Sequence, residues 1–241
     1  MMHLIDRALV WFKDGDDKRS DLDGKYYPLS VLYTRLLREV YQGKRIQFIN
    51  VFFKSEKTYE LYPKSPRHHL HFSNGHLWYN DVFDFDAFNS MTEEQKKVFV
   101  WSRTYSIMAA AARKLGNAEL ERANEFAYKS GMERSLIADY NVLGMEVTLF
   151  EQVVKASIWY VFKEEGMYSY LVITHDEKEL FRKELAKGAL GNEFFLEMYK
   201  RITAKHDTIV VEYVRSAERP PVKISIDPSL IASPSPNPHT S

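Results

Sequence analysis

The sequence of 241 residues has no cysteine and no excess of charge of either sign. Without cysteine there can be no disulfide framework, no thiolate zinc site and no thiol nucleophile. The 33 lysine and arginine residues balance 33 aspartate and glutamate residues, so the whole chain exerts no bulk attraction on nucleic acid or an acidic membrane. No apolar run reaches the roughly 20 residues that span a bilayer. We therefore expect no membrane partner, and nucleic acid is disfavoured as a partner.

Motifs that would identify an enzyme are missing as well. The ten glycines form neither a GxGxxG fingerprint nor a P-loop, and the chain has no GxSxG or HExxH sequence. The first seven residues already contain an acid and a base, which is not the pattern of a signal peptide. We expect a cytoplasmic protein that is not an enzyme and that uses no cofactor.

Abundant apolar and aromatic residues predict a folded chain with a large core. Hydrophobic residues make up 45% of the sequence and aromatic residues 14%, which is typical of a globular protein. The order of β-prone and helical segments predicts an α+β fold, a mostly antiparallel sheet with a central helical hairpin, residues 92–130, packed on it. We expect one domain over residues 1–227, with two related lobes, 1–131 and 132–227, as an alternative. A disordered tail rich in proline and serine is expected over residues 228–241.

Local patterns also predict individual elements. An acidic loop is expected over residues 14–24, and Pro28 is expected to open the helix that follows, since proline is tolerated in a first helical turn. The apolar surroundings of Trp11, Trp101 and Trp159 place these three side chains in the core. The local patterns also predict a strand at residues 58–62 and helices at residues 177–187 and 192–204.

The clearest local signal is a β-hairpin that turns at Asn74 and Gly75. An Asn-Gly pair between two β-prone arms favours a two-residue turn, because both turn positions require positive φ. Such a turn sets His71 opposite Trp78, and side chains then alternate between the two faces of the hairpin. One face is predicted to join the core and holds Leu70, Phe72, Leu77 and Tyr79. The other is predicted to face away from the core and holds His69, His71, Ser73, His76, Trp78 and Asn80.

The imidazole-rich face of this hairpin allows several interpretations. It can be a surface for a protein partner, because exposed tryptophan and histidine favour desolvated contacts. It can hold a divalent metal through His69 and His71 with Asp84 or Asp81 as a third ligand, and with Asp86 in addition to Asp84, in a metal-dependent hydrolase or nuclease. It can also join two copies of the chain in a homodimer or a larger assembly. The plainest alternative is a solvated surface, since an HxH pair alone is a weak metal motif.

A cluster of aspartates offers a second candidate surface. Asp14, Asp16 and Asp17 lie in the expected acidic loop, which lacks the glutamate that ends a calcium-binding loop. The layout of the chain resembles that of cysteine-poor α+β proteins that act as immunity partners of bacterial toxins, although the likeness covers no motif and assigns no residue. It implies a protein that binds a cognate toxin, and an acidic loop suits a basic toxin such as a nuclease. The expected partner-binding residues are Asp14, Asp16, Asp17, His69, His71, His76, Trp78 and Asn80.

Overall fold

Twelve strands and six α-helices form the part of the chain, residues 5–231, that this computed structural model describes. Most neighbouring strands are antiparallel and helices accompany them, so the predicted α+β class is confirmed. The chain divides into two units between Ala138 and Asp139. The first unit combines a mixed sheet with helices, and the second consists almost entirely of antiparallel strands.

The first unit is built on a five-stranded sheet with the strand order β2-β1-β3-β5-β4. Strands β1, β3 and β5 are parallel to one another, whereas β2 and β4 add an antiparallel strand at each edge. Because the parallel strands share one direction, their carboxyl ends meet at one edge of the sheet. The strands are β1 (Arg7–Asp14), β2 (Asp17–Lys18), β3 (Phe48–Lys54), β4 (His69–Ser73) and β5 (His76–Val82).

Helices cover one face of this sheet. Leu29 of the first helix and Val100 of the fourth enclose Ile49 and Val51 of β3 from that side. The side chains of both β3 residues are almost fully buried, and such burial is the main source of stability for a sheet face. The helices are α1 (Ser20–Val40), α2 (Glu56–Leu61), α3 (Phe85–Asn89), α4 (Glu93–Lys114) and α5 (Ala118–Glu133).

Helices α4 and α5 pack against each other through a large and a small residue. Trp101 of α4 is fully buried, and its indole lies against Gly131 of α5. A Cβ at Gly131 would be 2.1 Å from the indole ring, so only glycine fits this contact. The indole Nε1 donates to the carbonyl of Tyr128 at 3.2 Å, which satisfies the one polar group of the side chain.

Polar side chains of α1 close the outer edge of β1. Strand β2 pairs with β1 only at its end, so alternate amides farther back along β1 need other acceptors. The acceptors are the side chains of Asp23, Ser30 and Thr34 on α1. Their spacing of seven and then four residues places them on one side of the helix. The amide of Ala8 donates to Thr34 Oγ1 at 2.9 Å, that of Val10 to Ser30 Oγ at 3.2 Å and that of Phe12 to Asp23 Oδ1 at 2.8 Å. This edge is therefore not available for pairing with a strand of another molecule.

The second unit contains two antiparallel sheets, with strand orders β6-β7-β8-β9 and β10-β11-β12. Two buried tyrosines bond across its interior: the Tyr160 hydroxyl donates to the Phe195 carbonyl at 2.7 Å, and the Tyr199 hydroxyl lies 2.5 Å from Ser169 Oγ. The elements are β6 (Tyr140–Leu149), β7 (Gln152–Lys163), β8 (Gly166–His175), β9 (Lys178–Gly188), β10 (Tyr199–Lys205), β11 (Thr208–Tyr213), β12 (Val222–Ser225) and the short helix α6 (Pro228–Ile231).

The prediction of an acidic loop over residues 14–24 is wrong. Gly15 and Asp16 form a two-residue turn between β1 and β2, and α1 then begins at Ser20. Pro28 lies inside this helix rather than at its start. Two carboxylates of the segment, Asp21 and Asp23, fall in the first turn of α1, where the free amides of a helix N-terminus favour negative charge.

Three other predicted elements are of the wrong type. Residues 58–61 belong to α2 rather than to a strand, because the Ser55 hydroxyl caps a short helix there. The charged segment 177–187 lies almost entirely in the edge strand β9, since pairing with β8 outweighs its helical propensity. The segment 192–204 consists of a 3₁₀ turn followed by most of β10.

The end of the described chain includes the first residues of the expected tail. Residues 228–231 form α6, in which Ile231 is buried. The rest of the expected tail, residues 232–241, lies outside the described residues. Among residues 5–231, no helix combines the length and the apolar composition that crossing a bilayer requires.

Candidate functional site

Strands β4 and β5 form the predicted hairpin in the predicted register. The chain reverses at Asn74 and Gly75, whose φ values are +49° and +79°. Positive φ at both positions is the geometry that Asn-Gly turns adopt, and glycine takes it without a steric cost. His71 lies opposite Trp78 and His69 opposite Asn80, so the prediction is confirmed.

The face that this hairpin turns away from the helices continues across the whole sheet. In each pair of neighbouring strands, residues in register point to the same side, so the pairing identifies the members of the face. All of them except the buried Leu9 are exposed or half-buried. We call this surface the open face. Its members are Arg7, Leu9, Trp11, Lys13, Lys18, Phe48, Asn50, Phe52, Lys54, His69, His71, Ser73, His76, Trp78, Asn80 and Val82.

A row of rings crosses the open face from β4 to β3, and a guanidinium on β1 continues it. His71 and His76 both lie against the indole of Trp78, each with its ring centroid 5.2 Å from that of the indole. The His76 ring is stacked on the indole at 17° and also contacts Phe48, at a centroid distance of 4.6 Å. The guanidinium of Arg7 lies over Phe48 at 5.2 Å. The rings therefore hold one another in place before any ligand arrives.

Trp11 extends this aromatic surface, contrary to the prediction that it is a core residue. Its side chain is 37% exposed, and its indole Nε1 donates to Asn50 Oδ1 at 2.9 Å. The continuous apolar run around Trp11 hid the alternation that points it away from the core. Trp159 is also exposed, at 36%, so its predicted burial is wrong too. Trp101 is in the core as predicted.

The charge on the open face has one sign. It carries Arg7, Lys13, Lys18 and Lys54 together with three imidazoles, and none of its members, all of them described residues, is acidic. This segregation matters because the whole chain has no net charge. A surface of one sign attracts a ligand of the opposite sign and repels a second copy of itself.

Asp81 lies on the opposite side of β5 and is committed to other contacts. Its carboxylate is 1% exposed and accepts two hydrogen bonds from Arg103, at 2.5 and 2.9 Å. His68 Nδ1 lies 2.9 Å from the same carboxylate. The hydrogen bonds to Asp81 raise the pKa of Arg103. These paired charges join the hairpin to α4 and leave Asp81 apart from His69 and His71.

The residues proposed as metal ligands do not come together. Asp84 caps α3, where its Oδ1 accepts the amide of Ala87 at 2.9 Å. Asp86 falls in the first turn of the same helix, and both histidines of the pair His69 and His71 remain on the open face. In the part of the chain that the structure describes, no three histidine, aspartate or glutamate side chains form a group able to hold a metal ion.

The three aspartates of the second candidate surface lie at the edge of the sheet. Asp14 and Asp17 face each other across β1 and β2, on the side opposite to the lysine pair next to them. Asp16, in the turn between them, accepts a hydrogen bond from the Tyr62 hydroxyl. The structure therefore separates these carboxylates from the imidazoles that the sequence grouped with them.

A sheet face in the second unit also exposes a tryptophan, but its charges are mixed. Trp159 lines a shallow depression together with Glu146, Lys155, His175 and Glu177. The Trp159 Nε1 donates to Ser157 Oγ at 3.2 Å. Because acidic and basic side chains occur together there, this face offers no charge preference for a partner.

Comparisons of the chain with models of protein families, with curated proteins and with solved structures gave no match. No relative therefore assigns a role to a residue of the open face. Its chemistry has to be inferred from its own geometry and charge.

Proposed function

We propose that this is a non-enzymatic protein-binding protein whose open face docks against a carboxylate-rich surface of a partner protein. The observation that carries the proposal is the combination of exposed indole and imidazole rings with four basic side chains on a sheet face without an acid. Tryptophan and arginine supply much of the binding energy in protein interfaces, and charge complementarity selects the partner.

The charge of the open face changes the partner expected from the sequence. An acidic loop suited a basic toxin, but the carboxylates of Asp14 and Asp17 lie on the other side of the sheet edge. If the protein is the immunity partner of a toxin, the toxin surface that the open face covers is acidic. A basic nuclease surface would meet lysines and arginine there, which costs binding free energy.

The ring contacts favour a protein over a single-stranded nucleic acid. Nucleic-acid platforms leave aromatic rings free so that bases can stack on them. Here two imidazoles already lie against the indole of Trp78, which reduces the ring surface left for a base. A second copy of the chain is disfavoured because a two-fold contact would bring the same basic groups together.

Three tryptophan variants test this proposal. Trp78→Ala removes a half-buried indole and Trp11→Ala an exposed one from the open face, and Trp159→Ala removes an indole of the second unit that is about as exposed as Trp11. A partner is first isolated on immobilised wild-type protein from cells of the source organism, and its affinity for each variant is then measured. We expect about a tenfold or greater loss for each open-face variant and no loss for Trp159→Ala.

The identity of the retained molecule completes the test. An acidic protein with this pattern of losses supports the proposal. Equal affinities for Trp78→Ala and Trp159→Ala would show that the open face is not the contact surface. Retention of RNA or DNA, sensitive to the same two variants, would assign the face to nucleic acid instead.

A further inference from the structure

Three lysines form a row across the strands at one edge of the open face. Lys18 on β2 lies opposite Lys13 on β1, and Lys13 is in register with Lys54 on β3. Like charges directly opposite each other on neighbouring strands destabilise a sheet. An anion bound beside the row would offset this repulsion.

The ammonium groups of Lys13 and Lys54 are not neutralised within the described chain. No carboxylate oxygen of a described residue lies within 4.0 Å of either group. Lys13 Nζ lies over the ring of Tyr62 at 4.2 Å, and Lys54 Nζ lies near the rings of Phe52 and Tyr59. Burial, and then the charge of Lys13, lower the pKa of Lys54.

The surroundings of the pair supply a further donor and a favourable position in the fold. Lys54 Nζ is 3.4 Å from Ser65 Oγ, and the hydroxyl hydrogen can turn toward a ligand. Lys13 and Lys54 stand at the carboxyl ends of two parallel strands, the edge at which open sheets commonly bind ligands. The nearby carboxylate of Asp16 accepts from Tyr62, and Asp23 interacts with the outer Lys18.

We propose that Lys13 and Lys54, with the Ser65 hydroxyl, bind a phosphoryl group. Two ammonium groups match a dianion, whereas a single carboxylate would neutralise one of them. The site goes beyond the proposed protein docking, since it lies at the edge of the open face and binds its anion whether or not a partner protein is present.

Calorimetric titration of the full chain with inorganic phosphate tests the site. At low ionic strength and about pH 8, where phosphate is mainly dianionic, we expect saturable binding to the wild type and weaker binding of acetate. Lys54→Met and Lys13→Met keep most of the apolar stem and should each raise the dissociation constant about tenfold or more. Lys205→Met, which removes an exposed lysine of the second unit, should leave it unchanged.

Two readouts separate binding from a structural role of Lys54. As the pH is raised through the titration of Lys54, phosphate binding should be accompanied by more proton uptake in the wild type than in Lys54→Met, because the anion favours the charged lysine. Without phosphate, the thermal midpoint of Lys54→Met should equal or exceed that of the wild type, since a desolvated charge is removed. Weaker binding together with a lowered midpoint would assign Lys54 to the fold and overturn the proposal, as would equal phosphate affinities in all four proteins.

A phosphoserine peptide and its unphosphorylated form identify the source of the phosphoryl group. Phosphopeptide binding that is much tighter than phosphate binding would assign the group to a partner protein, and equal affinities would assign it to a free phosphate ester. Trp78→Ala should leave phosphate affinity unchanged. Failure of the phosphate site and failure of the protein docking surface can therefore be told apart.

Discussion

A single buried carboxylate, Asp81, joins the β4–β5 hairpin to helix α4 on the side opposite to the open face. Its two hydrogen bonds from Arg103 join β5 to a helix that begins more than ten residues later. Asp81 is buried and Arg103 is half-exposed, so removal of the carboxylate charge loses two charge-assisted hydrogen bonds and leaves the guanidinium only partly hydrated. The position of the open face therefore depends on residues that do not belong to it.

We predict that Asp81→Asn lowers the free energy of unfolding by about 2–3 kcal/mol. The amide keeps the size of the side chain but cannot neutralise Arg103. Asp84→Asn is the matched control, because asparagine caps a helix about as well as aspartate, and its effect should stay below about 0.5 kcal/mol. Denaturation by urea, followed by circular dichroism, measures both. Equal losses in the two variants would contradict the role given to Asp81.

Tyr59 provides a prediction on pH dependence. Burial, and then the charge of Asp81, raise the pKa of Tyr59 to about 12, and its hydroxyl donates to the Asp81 carbonyl. The unfolded chain ionises this group near pH 10, so the contribution of Tyr59 to stability is complete below that pH and is lost as the pH rises toward 12. Tyr59→Phe should therefore lose less stability than the wild type between about pH 10 and 12. Parallel pH profiles of the two proteins would show that the prediction fails.

Residues differ in how far the sequence predicts their positions. The Asn-Gly turn is a local signal, and it was sufficient to place His71 beside Trp78. The sequence predicts a buried Trp11, which is wrong, because a run of apolar neighbours conceals the two-residue period of a strand. The pairing of Asp81 with Arg103 has no local signal at all, since it depends on how a helix packs against the sheet.

At the scale of elements, α1 and β1 form a unit in which side chains replace a missing strand. The hydroxyls and the carboxylate along one side of α1 accept alternate amides of β1. A buried amide without an acceptor costs the full loss of its hydration. The polar residues Asp23, Ser30 and Thr34, on the side of α1 that faces the sheet, are thus explained by the strand beside it.

We predict that Thr34→Val destabilises the protein by about 1–3 kcal/mol, because it leaves the buried amide of Ala8 without its acceptor. Thr34→Ser keeps the hydroxyl and should cost clearly less. Urea denaturation of both variants measures the difference. If the two substitutions cost the same, the loss comes from packing and not from the hydrogen bond.

Elements with capping or turn signals were more predictable than those that depend on tertiary pairing. The segment 177–187 is rich in residues that favour helices, yet most of it is an edge strand paired with β8. Asp176 and Glu177 form the turn between β8 and this strand, and both have positive φ. Positive φ is uncommon for residues other than glycine, so the sequence gives no signal for this turn. The α2 segment reads as a strand by alternation and becomes helical through the cap at Ser55.

At the scale of the whole molecule, the open face is a product of topology. Its residues come from five strands between Arg7 and Val82, and the parallel pairing of β1, β3 and β5 brings them together. The sequence predicts the hairpin part of this surface, but parallel pairing has no turn signal to reveal it. The net charge of the whole chain is zero, so the composition does not predict that the charged residues of the open face are all basic.

Site-specific photo-crosslinking in cells of the source organism tests whether the open face binds a carboxylate-rich surface of a partner protein. A benzophenone side chain is placed at position 11, 78 or 159, one in each of three proteins, and the adducts are identified by mass spectrometry. We predict that positions 11 and 78 crosslink to carboxylate-rich segments of one protein and that position 159 does not. Adducts with a second copy of the chain or with nucleic acid, or the same adducts at all three positions, would contradict it.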